Sequence, residues 1–196
     1  MPTTVRKLVL ASGSRYRRDL LNRLGLPFTA VAPLVDETPD PGEHPSALAA
    51  RLASEKAMTL ASGDAVVIGS DQAASLDGQL LEKPGSHALA LAQLAACQGR
   101  TVVFHTAVAV YDGAAGKLHE HVDLTLAHFA RRARPELERY LEREPAYDCA
   151  GGFKVEGLGI ALFESVESKD PTALIGLPLI WLAATLGSCG LDPLVP

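Results

Sequence analysis

The sequence is short of aromatic residues, at 5%, and holds only three cysteines and two methionines. Its core must therefore be aliphatic, built from its many Leu, Ala and Val. Cys97, Cys149 and Cys189 are odd in number and share no C-x-x-C or other short spacing, which argues against a disulfide framework and against a thiolate zinc site. Basic excess is missing as well: 18 Lys and Arg stand against 23 Asp and Glu, a formal charge of −5. A protein of that sign is poorly suited to tracking a nucleic-acid backbone. Small phosphorylated ligands are still open to it, because they need only a local cluster of charge. No apolar run approaches the ~18–20 residues of a membrane span. The start passes directly into a strand-like run without an apolar leader segment, so the expected location is the cytoplasm. Repeats, low-complexity linkers, the P-loop pattern, H-E-x-x-H and G-x-S-x-G are all absent.

What is present is ordinary for a globular chain: 47% hydrophobic and 21% charged residues. Lys7 to Ala11 is an apolar run that reads as a buried strand. A helix with Leu20, Leu21 and Leu24 on one face follows, closed by Gly25. Phe28 to Pro33 suggests a second strand, and the acidic, Pro-containing stretch 36–45 a loop. Pro45 suits the first position of a helix carrying Leu48, Leu52 and Leu60. Ala65 to Gly69 predicts a buried strand ending at Ser70-Asp71-Gln72, and Asp77-Gly78 a tight hairpin. Ser86 to Cys97 reads as a helix ended by Gly99. Thr101 to Tyr111 is the longest strand-like stretch, with Val122, Leu124 and Leu126 alternating on the returning strand. Pro135 to Arg143 predicts an amphipathic helix, and Phe153 to Val166 short strands broken by Gly157 and Gly159. Asp170-Pro171 offers a cap and first turn for the C-terminal helices, with Pro178 opening the second. The fold class expected is α/β (mixed), a sheet flanked by helices.

Four sets of residues point to chemistry, each with a plainer reading beside it. Ser12-Gly13-Ser14-Arg15-Tyr16-Arg17-Arg18 joins a strand to a helix, where unpaired N–H groups, hydroxyls and guanidinium groups form a polyphosphate cradle; the plain alternative is a capped, solvated basic turn. Asp36-Glu37 lies in a loop and Asp71 follows a strand, positions from which a carboxylate orients water or holds a cation; the plain alternative is a turn former. Lys56 and Lys83 suit phosphate oxygens as point charges, or are merely solvated. The run Asp148-Cys149-Ala150-Gly151-Gly152-Phe153 permits close backbone approach by a ligand, or is a turn. His119 and His121 share a strand face, where solvation is a better account than metal binding, and Cys149 has no histidine paired with it in sequence.

The order of these motifs resembles the Maf family of nucleoside triphosphate pyrophosphatases. The resemblance rests on Leu-Ala-Ser-Gly-Ser with Arg17, Asp36-Glu37-Thr38, Arg51-Leu52-Ala53 with Lys56-Ala57, Gly69-Ser70-Asp71-Gln72, Lys83-Pro84, Cys149-Ala150-Gly151-Gly152-Phe153 and Gly176-Leu177-Pro178-Leu179. It runs from about Lys7 to Leu186. The family often carries Pro where Arg15 stands and Thr-Gly where Thr106-Ala107 stands, departures that touch neither the carboxylates nor the lysines. The resemblance implies the ITPase-like fold, an elongated mixed sheet with two lobes and a central cleft, formed by one domain over 1–196. It implies hydrolysis of a nucleoside triphosphate to the monophosphate and pyrophosphate with a divalent cation, Mg²⁺ or Mn²⁺. It assigns Asp71 as proton acceptor, Glu37 to the metal, and Ser12, Ser14, Arg17, Lys56 and Lys83 to the phosphates. A homodimer is expected from the family alone, with a nucleotide as the partner molecule and neither nucleic acid nor membrane.

Tyr16, Gln72 and Glu156 stand where the dTTP/UTP-cleaving branch carries Arg, Thr and Gln, and resemble the branch acting on 7-methyl-GTP. The chemistry agrees. Methylation at N7 makes the guanine ring cationic, and its N1–H and N2–H₂ edge is donor-only. A carboxylate such as Glu156 accepts from both, and Tyr16 offers a stacking face. The alternatives are a pyrimidine triphosphate pyrophosphatase of the same family and a nucleotide-sensing regulator of cell division without turnover.

Overall fold

The computed structural model describes residues 6–195. Its centre is a seven-stranded mixed sheet. The strands are β1 (Leu8–Ala11), β2 (Thr29–Val31), β3 (Val66–Leu76), β4 (Gln79–Leu81), β5 (Thr101–Asp112), β6 (Lys117–Phe129) and β7 (Phe163–Ser168). Their order is β2-β1-β3-β5-β6-β7, with β4 also pairing β3. β1 pairs parallel with β2 and β3, and all other pairings are antiparallel. Five α-helices surround it among the described residues: α1 (Arg15–Asn22), α2 (Pro45–Thr59), α3 (His87–Cys97), α4 (Arg134–Arg143) and α5 (Leu179–Ser188). No described helix is long and apolar enough to cross a membrane.

Alternation along β3 organises the core. Val66 and Ile68 join Leu10, Leu20, Leu21, Val108 and Leu182 in one apolar cluster. Ala74 and Leu76 point to the same face but join a second cluster with Leu94, Phe104, Phe129, Leu141 and Phe153. Between the two, the residues of β3 on that face are Ser70 and Gln72. One sheet face thus carries two apolar clusters separated by a polar row. On the other face, α2 lays Ala49, Leu52, Ala53 and Ala57 against Ala73, Ala107 and Ala109.

The elements expected from sequence form with some differences. β3 does not end at Gly69; it continues to Leu76, because β5 pairs with it all the way from Val66 to Leu76. On β6 the alternation is inverted: Leu124 is 52% exposed while Asp123 and Thr125 are buried. The Ser168 hydroxyl accepts from Thr125 Oγ1 and donates to Asp123 on one side of β6, while on the other side α2 covers Leu118 and Val122 but leaves Leu124 out. The stretch 153–166 is not a set of short strands. It forms a 3₁₀ turn over Leu158–Leu162 and then the single strand β7, because Gly159 packs with no room for a side chain against the Lys154 backbone. Asp170 does cap, but across a loop: its Oδ1 accepts from the Thr172 N–H at 2.8 Å and its Oδ2 from the Ile180 N–H of α5 at 2.7 Å. Only a 3₁₀ turn, Ala173–Ile175, precedes α5, and Pro178 sits at its N-cap rather than inside it.

Candidate active site

The site arises from a gap in pairing. β1 accompanies β3 only as far as Gly69, and β4 joins the same side only from Ala74. Ser70 to Ala73 therefore have an open edge, reachable from both faces of the sheet. Asp71 does lie at the carboxyl end of a parallel pairing, although it sits mid-strand. A cleft of about 700 Å³ opens there, lined among others by Ser14, Tyr16, Arg17, Glu37, Lys56, Asp71, Gln72, Lys83, Lys154 and Glu156. That volume suits a small-molecule ligand.

At its floor, Lys56 Nζ lies 2.7 Å from Asp71 Oδ1 and 2.6 Å from Glu37 Oε1. The lysine side chain is 7% exposed, Asp71 14% and Glu37 55%, so an ammonium is sunk beneath a carboxylate at the rim. α2 reaches this depth because Gly69 has no side chain. A Cβ there would meet the Ala57 nitrogen at 2.6 Å and the Ala53 carbonyl oxygen closer still. The hydrogen bond and charge of Lys56 hold the Glu37 carboxyl below the usual carboxylate range, with Lys83 and Arg17 adding to the effect. Asp71 Oδ2 makes no hydrogen bond to the described residues and is left for a ligand.

The loop bearing Glu37 is tied down from α2. Arg51 grips Glu43 with Nε–Oε1 at 2.8 Å and Nη2–Oε2 at 2.9 Å, and also donates to the Thr38 carbonyl at 3.1 Å. This two-pronged bond brings the Glu43 carboxyl down to about 2.

Arg17 rises from α1, whose N-cap Ser14 accepts from the Arg17 N–H at 3.4 Å. Its Nε donates to the Gly176 carbonyl at 3.0 Å. Burial lowers the Arg17 pKa, opposed by Asp71 and Glu37, and the guanidinium stays charged. The same Gly176 carbonyl lies 2.9 Å from the Ser70 hydroxyl. Next along the loop, Thr106 Oγ1 donates to the Ala173 carbonyl at 2.9 Å, and Gln72 Nε2 donates to Thr106 Oγ1 and to the Ala173 and Leu174 carbonyls. Gln72 therefore lines the cleft with its amide nitrogen already spent, and only its Oε1 remains for a ligand.

At the other end, Tyr16 and Glu156 line the same cleft, with the Arg15 guanidinium 5.2 Å from the Tyr16 ring centre. Glu156 is exposed, but its loop is held. The Lys154 N–H donates to Tyr140 Oη at 3.1 Å, and Tyr140 Oη donates to Glu144 Oε2 at 3.1 Å. That oxygen also accepts the Gly159 N–H at 3.0 Å. Lys154 pairs with Asp148 at 3.4 Å across the cleft wall.

Of the residues expected from sequence, nine line this one cleft. Ser12 does not: it is buried, its Oγ accepts the Ser14 N–H at 3.1 Å, and it faces a separate hollow with Arg18 and Asn22. Cys149 lines the cleft, but burial and Asp148 push its thiol up to about 11, away from the thiolate. His121 is partly exposed and stacks on Trp181 with 5.3 Å between ring centres. Tyr140 and Glu144 escaped sequence reading, although Tyr140, a polar-tipped residue in the apolar stripe of α4 with Leu137 and Leu141, is a recognisable signal.

Among the described residues no group of three or more His, Cys, Asp or Glu converges to hold a metal. Glu37 and Asp71 supply two hard oxygen donors. That set fits Mg²⁺ or Mn²⁺, which take one or two carboxylates and complete their shell with phosphates and water.

The sequence profile described as Maf-like protein matches residues 7–189. Curated relatives include a protein of Xanthomonas axonopodis pv. citri, 57% identical over 94% of this chain and 97% of its own. One of Ralstonia nicotianae is 57% identical over 91% and 93%, and one of Bordetella pertussis 53% identical over 99% and 98%. All three are named 7-methyl-GTP pyrophosphatase. With its sheet, its cleft and a profile match over nearly its whole length, the chain belongs to the Maf family.

Proposed function

We propose that this protein is a nucleotide pyrophosphatase that hydrolyses 7-methyl-GTP to the nucleoside monophosphate and pyrophosphate. The observation that carries this reading is the composition of one cleft. Arg17, Lys56 and Lys83 gather with Glu37 and Asp71 in the cleft that Tyr16 and Glu156 also line. The names of relatives more than 50% identical support the same substrate.

Arg17, Lys56 and Lys83 hold the phosphate oxygens and stabilise the charge that develops on them. Ser14 contributes its hydroxyl at the start of α1, and Ser12 acts behind it by shaping the turn. Asp71, with Oδ2 free, orients the attacking water and takes its proton. The water oxygen bonds to the α-phosphorus, the bond from that phosphorus to the bridging oxygen breaks, and pyrophosphate leaves. Glu37 and Asp71 would hold Mg²⁺ or Mn²⁺, which when bound supplies positive charge to the phosphates. Tyr16 stacks on the cationic methylguanine, Glu156 accepts from its N1–H and N2–H₂ edge, and Gln72 Oε1 gives the third polar contact. The two apolar clusters of the sheet face are, on this reading, the lobes of a single ITPase-like domain spanning 1–196. The setting is the cytoplasm, as a homodimer without nucleic-acid or membrane partners.

The test is kcat/KM for 7-methyl-GTP, GTP, UTP and dTTP on wild type and on Glu156→Gln. Wild type should prefer 7-methyl-GTP. The variant should lose about one to two decades on that substrate, the ~1–3 kcal/mol of a two-pronged base contact, and little on the pyrimidines. A wild type that prefers UTP or dTTP refutes the substrate.

A further inference from the structure

The pairing of Lys56 with both carboxylates has a consequence for metal entry. Its side chain is 7% exposed and its ammonium lies within 2.7 Å of Glu37 and Asp71, the two carboxylates that would hold a divalent cation at the cleft floor. The ammonium is thus a compact positive charge standing where a second cation would need to stand. Arg17, with a guanidinium that feels both carboxylates, and Lys83, which acts on Glu37, join Lys56 to make three cations against two carboxylates. A bare divalent ion approaching this cluster meets net repulsion, whereas a triphosphate that carries the ion arrives with net negative charge and is attracted. A lysine on a flexible four-carbon stem can turn from carboxylate to phosphate without moving its helix.

We propose that Lys56 is the resident cation of the Glu37–Asp71 pair, barring a divalent ion from the nucleotide-free protein so that the ion enters only together with the nucleotide. This rests on the reading of the cleft as a triphosphate site, and extends it to the order in which the site fills. Lys56 then has two states. It neutralises Glu37 and Asp71 while the cleft is empty, and it transfers to the phosphate oxygens as the carboxylates are taken over.

The experiment titrates nucleotide-free protein with Mn²⁺, reading the free ion by electron paramagnetic resonance. Wild type should bind weakly. Lys56→Met should bind one ion about tenfold more tightly or better, a coupling of ordinary size between adjoining sites, and the gain should vanish in Lys56→Met/Glu37→Gln. Equal affinity in wild type and Lys56→Met, or a gain that survives loss of Glu37, overturns the proposal. Where Lys56→Met does not fold, Lys56→Gln is titrated in the same way, and thermal unfolding of wild type decides independently. Mn²⁺ alone should leave the wild-type Tm unchanged, while Mn²⁺ with an α,β-methylene analogue of the triphosphate that wild type turns over best should raise it. A rise with Mn²⁺ alone refutes the barring role. The substrate panel reads base preference and these titrations read metal order, so the two readings fail separately.

Discussion

Replacing Gly69 by alanine adds one methyl group that points at the backbone of α2, and it should damage both the fold and the site. The new Cβ would lie 2.6 Å from the Ala57 nitrogen and closer still to the Ala53 carbonyl oxygen. Such contacts settle at about 3.5–4.0 Å, so α2 must retreat from β3 by about 1 Å or more. The atoms met are helix backbone, which cannot swing aside as a side chain can. Overpacking of this kind costs about 1–3 kcal/mol. Lys56, the residue just before Ala57, retreats with the helix, and its 2.7 Å bond to Asp71 stretches beyond hydrogen-bonding range. A misplacement of about 1 Å at a reacting group can cost ~10²-fold in rate. The assay pairs urea unfolding with kcat/KM on 7-methyl-GTP. A lower midpoint at unchanged m-value, together with a loss of one to two decades in kcat/KM, is expected. Gly69→Ala with wild-type stability and activity would refute the account of how α2 delivers Lys56 to the carboxylates.

Asp71→Asn should keep the fold and lose ~10²-fold or more in kcat, as befits a general base; near-normal kcat with metal saturating would remove Asp71 from the chemistry. Tyr140→Phe takes an acceptor from the Lys154 N–H and a donor from Glu144. It should raise KM for 7-methyl-GTP by loosening the Glu156 loop while leaving kcat on poorer substrates unchanged, and equal effects on all substrates would refute a role confined to the base. The Glu43 carboxyl is lowered from 4.5 to about 2 in the fold, so its contribution to stability is complete above about pH 4.5 and is lost as pH falls toward about 2. The Tm difference between wild type and Glu43→Gln should therefore shrink across that interval, and a constant difference would show that the Arg51–Glu43 grip is not its source.

Local signals alone determined much of this protein. Pro45 at the first turn of α2, Ser86 capping α3 with its side chain accepting from Leu89, and Asp77-Gly78 with φ of 51° and 78° at the β3–β4 turn are all short-range chemistry, legible from neighbouring residues. So are the residue types of the site, because a phosphate needs cations and a water needs a carboxylate whatever the fold. Tertiary structure alone decided how those residues meet. The length of β3 depends on β5, whose pairing carries it past Gly69 to Leu76. The burial of Asp123 and Thr125 in place of Leu124 depends on how far along β6 its neighbours cover each face, and alternation by itself does not decide that. The commitment of the Gln72 amide to the Ala173 and Leu174 carbonyls, the tether from Tyr140 to the loop of Glu156, and the seat of Lys56 between Glu37 and Asp71 join residues distant in sequence. Such contacts depend on register and helix packing, and neither is written in the spacing of residues along one strand or one helix.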